Sequence, residues 1–540
     1  MLCTPHRFAA MLLNAVACLA VAAPTFAGPI NPPVGPVAST PGPEPRIPIS
    51  DTATPGDADS LFKIIQPGSY YLTGNITGVV GKHGIEIAAS GVTLDLNGFE
   101  LNGVAGSLGG VQLTVTSQRN IAVLNGAVRN WGGSGVALNF SLSNTCRVER
   151  VFATFNSGSG IRVGSSSIVT NCQTSQNGGF GIDAQTACVV TQCAALNNAA
   201  AGLLLGEGST VSDCSFDQNQ DGGMVIVGRC TVTNCTTRSN TGGGINTGSD
   251  CTVTNCSASG NTTRGIATSI ACTISFCTVN ENGGIGIATG SGSSISNCSA
   301  RANTSFGITA QSDGTIDACT ASANVGGGVS TGARSNIINS TITGTTAGPG
   351  VSSTGEGLRL EGCSISNNSG LGVSVNTASN IAELAVVNCT IRGNGTGGIS
   401  SEASTQVLDS HVSGNTGVGI RITGSGLIRG CTINSNTLSG IELTGNANVV
   451  QNNTLSSNAV SVATTAGILV QGPDNTIDAN RLFANVQGGI KLNSAGNIVL
   501  RNYLANSGAT ITAVASNAVA QTLAPAAGFV STDPNANLIY

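Results

Sequence analysis

The chain is poor in charge, in aromatic rings and in histidine. Asp, Glu, Lys and Arg make up 9% of its 540 residues and aromatics 3%, with one Trp and three His. A nucleic-acid surface needs clustered Lys and Arg to neutralise phosphates. Here 21 basic residues are scattered among 26 acidic ones and the net charge is −5, so no nucleic-acid partner is expected. The apolar spacings of three and four that mark helical and leucine-rich repeats are absent. Beyond residue 27 no apolar run is long enough to span a bilayer, so no transmembrane segment is expected once the N-terminus is removed. What the chain has instead is 75 Gly and 40% apolar residues, mostly small. That is too apolar for a disordered chain and suits a narrow core.

Residues 1–27 read as a secretory signal peptide. His6 and Arg7 close a short polar start, an apolar run extends from Phe8 to Ala23, and Thr25-Phe26-Ala27 offers small residues for cleavage. Ala15-Val16-Ala17-Cys18 faintly resembles a lipoprotein box, but the run stays apolar past Cys18. Residues 28–48 are Pro-rich and read as an extended linker. The expected location is secreted, periplasmic or at the cell surface.

A Gly followed by an aliphatic residue or Met recurs at Gly160, Gly181, Gly202, Gly223, Gly244, Gly265, Gly286, Gly307 and Gly328, each 21 residues after the last. The series continues less strictly to Gly489 and reaches back through Gly135 and Gly110 to Gly84. A fixed period over so many units marks a solenoid. Inside the unit from Gly244 to Asn261, three short stretches alternate: Ile245-Asn246-Thr247, Cys251 to Thr254, and Cys256 to Ser259. Period two predicts strands. Three strands per unit, each paired with its counterpart one unit on, predict an all-β parallel β-helix, right-handed by the crossover bias. About 19 rungs at roughly 4.8 Å give a rod on the order of 90 Å. The expected domains are a lead-in and N-terminal cap over 49–83, the β-helix over 84–508 and a capping tail over 509–540 without the rung pattern.

Two columns confirm the register. Asn177 to Asn324 recur every 21 residues, as do Cys172 to Cys319, with a shorter third column at Cys188, Cys230, Cys251 and Cys272. Sixteen cysteines follow the signal, an even number that invites a disulfide reading. In-register neighbours have parallel Cα–Cβ bonds at the strand spacing, however, whereas a bridge needs Cβ atoms near 3.8 Å. Buried free thiols are expected. The column also lacks His partners and a closed four-ligand set for a metal.

The Asn-Cys-Ser-Ala-Ser-Gly-Asn run of residues 255–261 and the Gly243-Gly244-Ile245 step resemble the parallel β-helix repeats of the pectin-lyase-like superfamily. Gln66 to Ile76 and Gly91 to Leu101 look like the start of bacterial exported right-handed β-helix repeat proteins. The resemblance spans residues 47–506. It implies the fold, and it admits polysaccharide lyases, hydrolases, uronate epimerases and non-enzymatic surface proteins alike.

The motifs of the enzymes are missing. Neither His83 nor His411 sits in a Gly-His-Gly, no run of aspartates supplies paired carboxylates, and the calcium nonapeptide is absent. No cofactor is expected, and calcium finds no supporting motif. The remaining place is the outward position two residues after each rung Gly. Most rungs carry neutral residues there. Arg162 and Asp183 break the column, as do Arg421 and Glu442, with Lys491 two rungs on and Glu402 nearby. As a site, Arg421 or Lys491 binds an acidic sugar and Glu442 or Glu402 moves a proton; as plain surface they are exposed ion pairs. The long units at Thr377 to Ala385 and Ser456 to Ala466 could wall a groove. The first expectation is therefore a binding protein for polysaccharide or a surface protein. A lyase or epimerase of acidic glycans is the alternative, and a structural or ice-binding surface of Thr columns (Thr231, Thr252, Thr273) is the third reading.

Overall fold

The computed structural model describes residues 46–540 except 377–382, 463, 509 and 525–530. The expected signal, Cys18 and all but the last three residues of the Pro-rich linker lie outside the described residues, as does most of the Thr377 to Ala385 insertion.

Short strands follow one another along the chain, most of them three residues long, and no helix occurs among the described residues. They stack into three parallel ladders. In one unit the first ladder contributes Ile245–Thr247, the second Thr252–Thr254 and the third Ser257–Ser259. Each pairs in register with the strand 21 residues on: Ile245 with Ile266, Thr252 with Thr273, Ser257 with Thr278. The inward residues Ile245, Val253 and Ala258 are fully buried, so each rung closes its own slice of a core that runs the length of the coil.

The first ladder has 21 described strands, from Ser60–Ile64 to Ile511–Ala513, two more than the expected 19 rungs. The surplus is at the ends, where Ser60–Ile64 and Ile511–Ala513 form turns of the coil without a preceding rung Gly. The tail, whose sequence lacks the rung pattern, pairs Ile511–Ala513 with Ile490–Leu492 and Asn537–Ile539 with Tyr503–Ala505. At the other end Ile47–Pro48 pairs with Gly68–Tyr71. Strand pairing satisfies backbone groups whatever the side chain, so a terminal turn persists where the repeat pattern fades.

The rung Gly is required for space. A Cβ on Gly244 would meet Thr237 Oγ1 at 2.5 Å and the Gly265 carbonyl at 2.6 Å. The three corners use a different device. Each has a left-handed residue, such as Asp250, Asn255 or Gly260, followed by a buried one: Cys251, Cys256 or Asn261. The bend thus falls on the residue before the column. The Asn side chains instead satisfy the corner backbone. The backbone N–H and Nδ2 of Asn240 donate to Asn261 Oδ1 at 3.1 and 2.9 Å, and Nδ2 also reaches the Phe216 carbonyl at 3.0 Å.

Cysteine does a weaker version of the same work. The backbone N–H of Cys277 donates to Cys298 Sγ at 3.4 Å, and Cys298 Sγ–H lies 3.2 Å from the Ser296 carbonyl. Serine and asparagine replace it along the same columns: Cys319 N–H donates to Ser340 Oγ at 3.1 Å, and Cys431 N–H to Asn453 Oδ1 at 2.9 Å. All sixteen described cysteines are buried and unbridged.

Candidate functional site

The first ladder presents one outward residue per rung. From Ser400 the cross-strand order is Arg421, Glu442, Leu469, Lys491 and Thr512. Because the strands are in register, Arg421 and Glu442 stand directly opposite each other, about 4.8 Å apart along the coil. Arg421 donates from Nε at 3.1 Å and from Nη2 at 2.8 Å to Glu442 Oε2. Gln471 Nε2 donates to Glu442 Oε1 at 3.2 Å. The Glu442 side chain is 11% exposed and that of Arg421 44%, so the carboxylate is held down and the guanidinium faces outward.

The other two expected residues do not join this pair. Lys491 is two strands beyond Glu442, with Leu469 between them. Glu402 follows the end of the strand Gly397–Ser401, at the corner, and is exposed. Arg162 and Asp183 form a second cross-strand ion pair on the same ladder, 2.9 Å from Nε to Oδ2.

Beside Arg421 lies a cleft of about 340 Å³, lined by Leu371, Thr396, Ile399, Ser400, Val418, Arg421 and Leu438. Sequence reasoning missed its wall. Leu371 and Val418 immediately precede Gly372 and Gly419, so an apolar side chain ahead of the rung Gly was the available signal. Register and corner geometry were needed to see that residues from successive rungs form one wall.

The family model for the right handed beta helix region matches residues 83–233, 227–358, 329–427 and 400–524. The chain belongs to the right-handed β-helix family. No curated protein matches it by sequence. Solved structures that resemble this β-helix protein include a pectate lyase (Pel9A), 16% identical over 42% of this chain and 70% of that one, with a TM-score of 0.25. The periplasmic alginate epimerase AlgG is 10% identical over 67% and 81%, with a TM-score of 0.28. A PL6-family alginate lyase (AlyGC) is 11% identical over 87% and 97%, with a TM-score of 0.28. These likenesses concern the coil of strands alone.

Three other features of the β-helix protein bear on ligands. Trp131, the one Trp and thus the one indole that could stack on a sugar, is fully buried and donates its ring N–H to the Leu101 carbonyl at 3.1 Å, so it belongs to the core. Asp57, Asp59 and Glu86 bring carboxylate oxygens within 4.8 Å of one another. The Lys63 ammonium stands between two of them, 2.7 Å from Asp57 and 2.8 Å from Glu86, and occupies the position a cation would take; its hydrogen bond to Asp57 raises the Lys63 pKa. The Thr columns face outward on the second ladder, but part of their hydrogen bonding runs along the ladder, as in Thr254 to Ser275 at 3.0 Å and Thr191 to Ser212 at 3.1 Å. No helix among the described residues is long and apolar enough to cross a membrane.

Proposed function

We propose that this β-helix protein is exported and binds an acidic polysaccharide along the outward face of its first ladder, with Arg421 as the anion-binding group. The observation that carries the reading is the half-exposed guanidinium set at the edge of an apolar-walled cleft. Glu442 accepts from Nε and Nη2 and thereby fixes the side chain, leaving Nη1 directed elsewhere; a guanidinium carries five donors and suits a planar carboxylate. Leu371, Val418 and Leu438 would cover the apolar face of a sugar ring. Lys491, two strands along the same face, is placed to meet a second carboxylate of an extended chain. Binding is favoured over lyase or epimerase chemistry because a base must approach the same sugar as the cation, and Glu402 and Lys491 both stand apart from Arg421.

The test is a glycan array of acidic and neutral polysaccharides, run beside an assay for unsaturated products by absorbance. Removing Arg421 alone would strand a buried carboxylate, so the informative variant is Arg421→Gln with Glu442→Gln. The expected result is acidic-glycan binding weakened about tenfold or more, since a hydrogen bond to a charged group is worth about 1.5–3 kcal/mol, with melting close to the parent's. Parent-like binding of every glycan by this variant and by Lys491→Ala overturns the reading. Product formation by the parent favours the lyase alternative.

A further inference from the structure

The unbroken run of cysteines along the corner between the second and third ladders exceeds what the corner demands. The position needs a small buried side chain that accepts an N–H from the preceding rung. Serine fills it at Ser340 and asparagine at Asn453, yet eight successive rungs from Cys172 to Cys319 carry cysteine. Their thiols are buried and unbridged. Adjacent Cα atoms are in register, so the sulfurs recur at about 4.8 Å. The same spacing sets the parallel Cβ atoms farther apart than the roughly 3.8 Å typical of a bridge. It is close to the span of a linear S–metal–S unit, twice a metal–thiolate bond of about 2.3 Å.

We propose that adjacent thiols of this column, foremost Cys193 and Cys214, form two-coordinate sites for soft monovalent metal ions such as Cu(I) or Ag(I). Thiolate and thioether sulfur select such ions, and a two-coordinate ion has no need of the four-ligand set the column lacks. The pair Cys193–Cys214 is singled out by its surroundings. A groove of about 650 Å³ lies over this corner, and its lining includes Cys193, Cys214 and the carboxylate-bearing Asp213. A shallow opening of the corner would connect solvent to the sulfurs. The backbone N–H of Cys193 already points at Cys214 Sγ, 3.3 Å away, and is placed to stabilise a thiolate there. The balance of the step is simple. One thiol loses its proton to solvent and bonds the ion as thiolate, and the second coordinates through sulfur with its proton retained. One H⁺ leaves per M⁺ bound, the site stays neutral in an apolar core, and nothing is oxidised or reduced.

The protein contains its own control. Cys146, on the corner between the first and second ladders, and Cys431, farther along the proposed column, have serine or asparagine at the next rung, so each is a thiol without a cysteine partner there. The experiment titrates the reduced full chain with Ag(I) in chloride-free, oxygen-free buffer. It follows sulfur-to-silver ultraviolet absorption, proton release, bound silver and far-ultraviolet circular dichroism. Three proteins are compared: the parent, Cys193→Ser with Cys214→Ser, and Cys146→Ser with Cys431→Ser. The expected result is uptake by the folded parent with about one proton released per ion, a lower stoichiometry in the paired variant and an unchanged one in the isolated-thiol variant. Serine occupies equivalent corners in this fold, so both variants keep the parent's dichroism. The proposal is overturned if silver enters only with loss of the β signal, if the paired variant binds as much as the parent, or if both variants lose silver equally.

Discussion

At the scale of the residue, the buried corner positions are hydrogen-bonding positions. Asn261 accepts two N–H groups from Asn240, and its own Nδ2 donates to Asn282 Oδ1 at 3.0 Å and to the Thr237 carbonyl at 3.3 Å. Asn261→Ala leaves those buried groups without partners, and the expected loss is about 1–3 kcal/mol, read as a lower melting temperature. Cys298→Ser preserves an acceptor for Cys277 N–H and should cost less than Asn261→Ala in the same assay. The thiols also set a pH dependence. Burial pushes Cys146 and Cys431 up from 9.0 to about 11, so the folded state holds their protons more tightly than the unfolded chain. Their contribution is complete below pH 9 and is lost as pH rises from about 9 through about 11. Melting temperature should fall across that window, and less steeply in Cys146→Ser with Cys431→Ser; a decline of equal slope in that variant would remove these thiols as its cause. Titration after denaturation without reductant should find sixteen free thiols in the chain from Gly28 onward.

At the scale of the element, the strand pattern and the 21-residue period were legible because period two and a repeated glycine act locally. The reason for the glycine was not. Gly244 is conserved in the repeat by the closeness of the next corner: the atoms that would clash belong to Thr237 and to Gly265, one on each side in sequence. Gly244→Ala should therefore destabilise by about 1–3 kcal/mol, the usual cost of overpacking. Gly208 gives the contrast. It has a φ of 68° with nothing within 4 Å of a Cβ, and Gly208→Asn, a residue that tolerates the left-handed region, should melt within a few degrees of the parent. The bend residue varies freely, as in Gln218, Ser239, Gly260 and Glu281, and only the buried neighbour is held to one type.

At the scale of the whole molecule, 21 stacked strands of the first ladder at about 4.8 Å make residues 46–540 a coil on the order of 100 Å long. Small-angle scattering from that region should show an elongated particle; a compact profile would contradict the fold. By itself the sequence determined the all-β class, the three strands per rung, the register and the unbridged cysteines, because each depends on a short pattern repeated along the chain. It also marked Arg421 and Glu442 as charges in a neutral column. Only the tertiary structure decided what surrounds them. The Arg421–Glu442 bond, the separation of Lys491 by Leu469 and the displacement of Glu402 to a corner depend on where three ladders place successive rungs. So does the cleft behind Arg421, whose wall gathers Leu371, Val418 and Leu438 from three different turns of the coil. Trp131 was drawn into the core by the same geometry: its ring fills space beside Gly84 and Gly110, residues of earlier rungs that meet it only when the chain is wound.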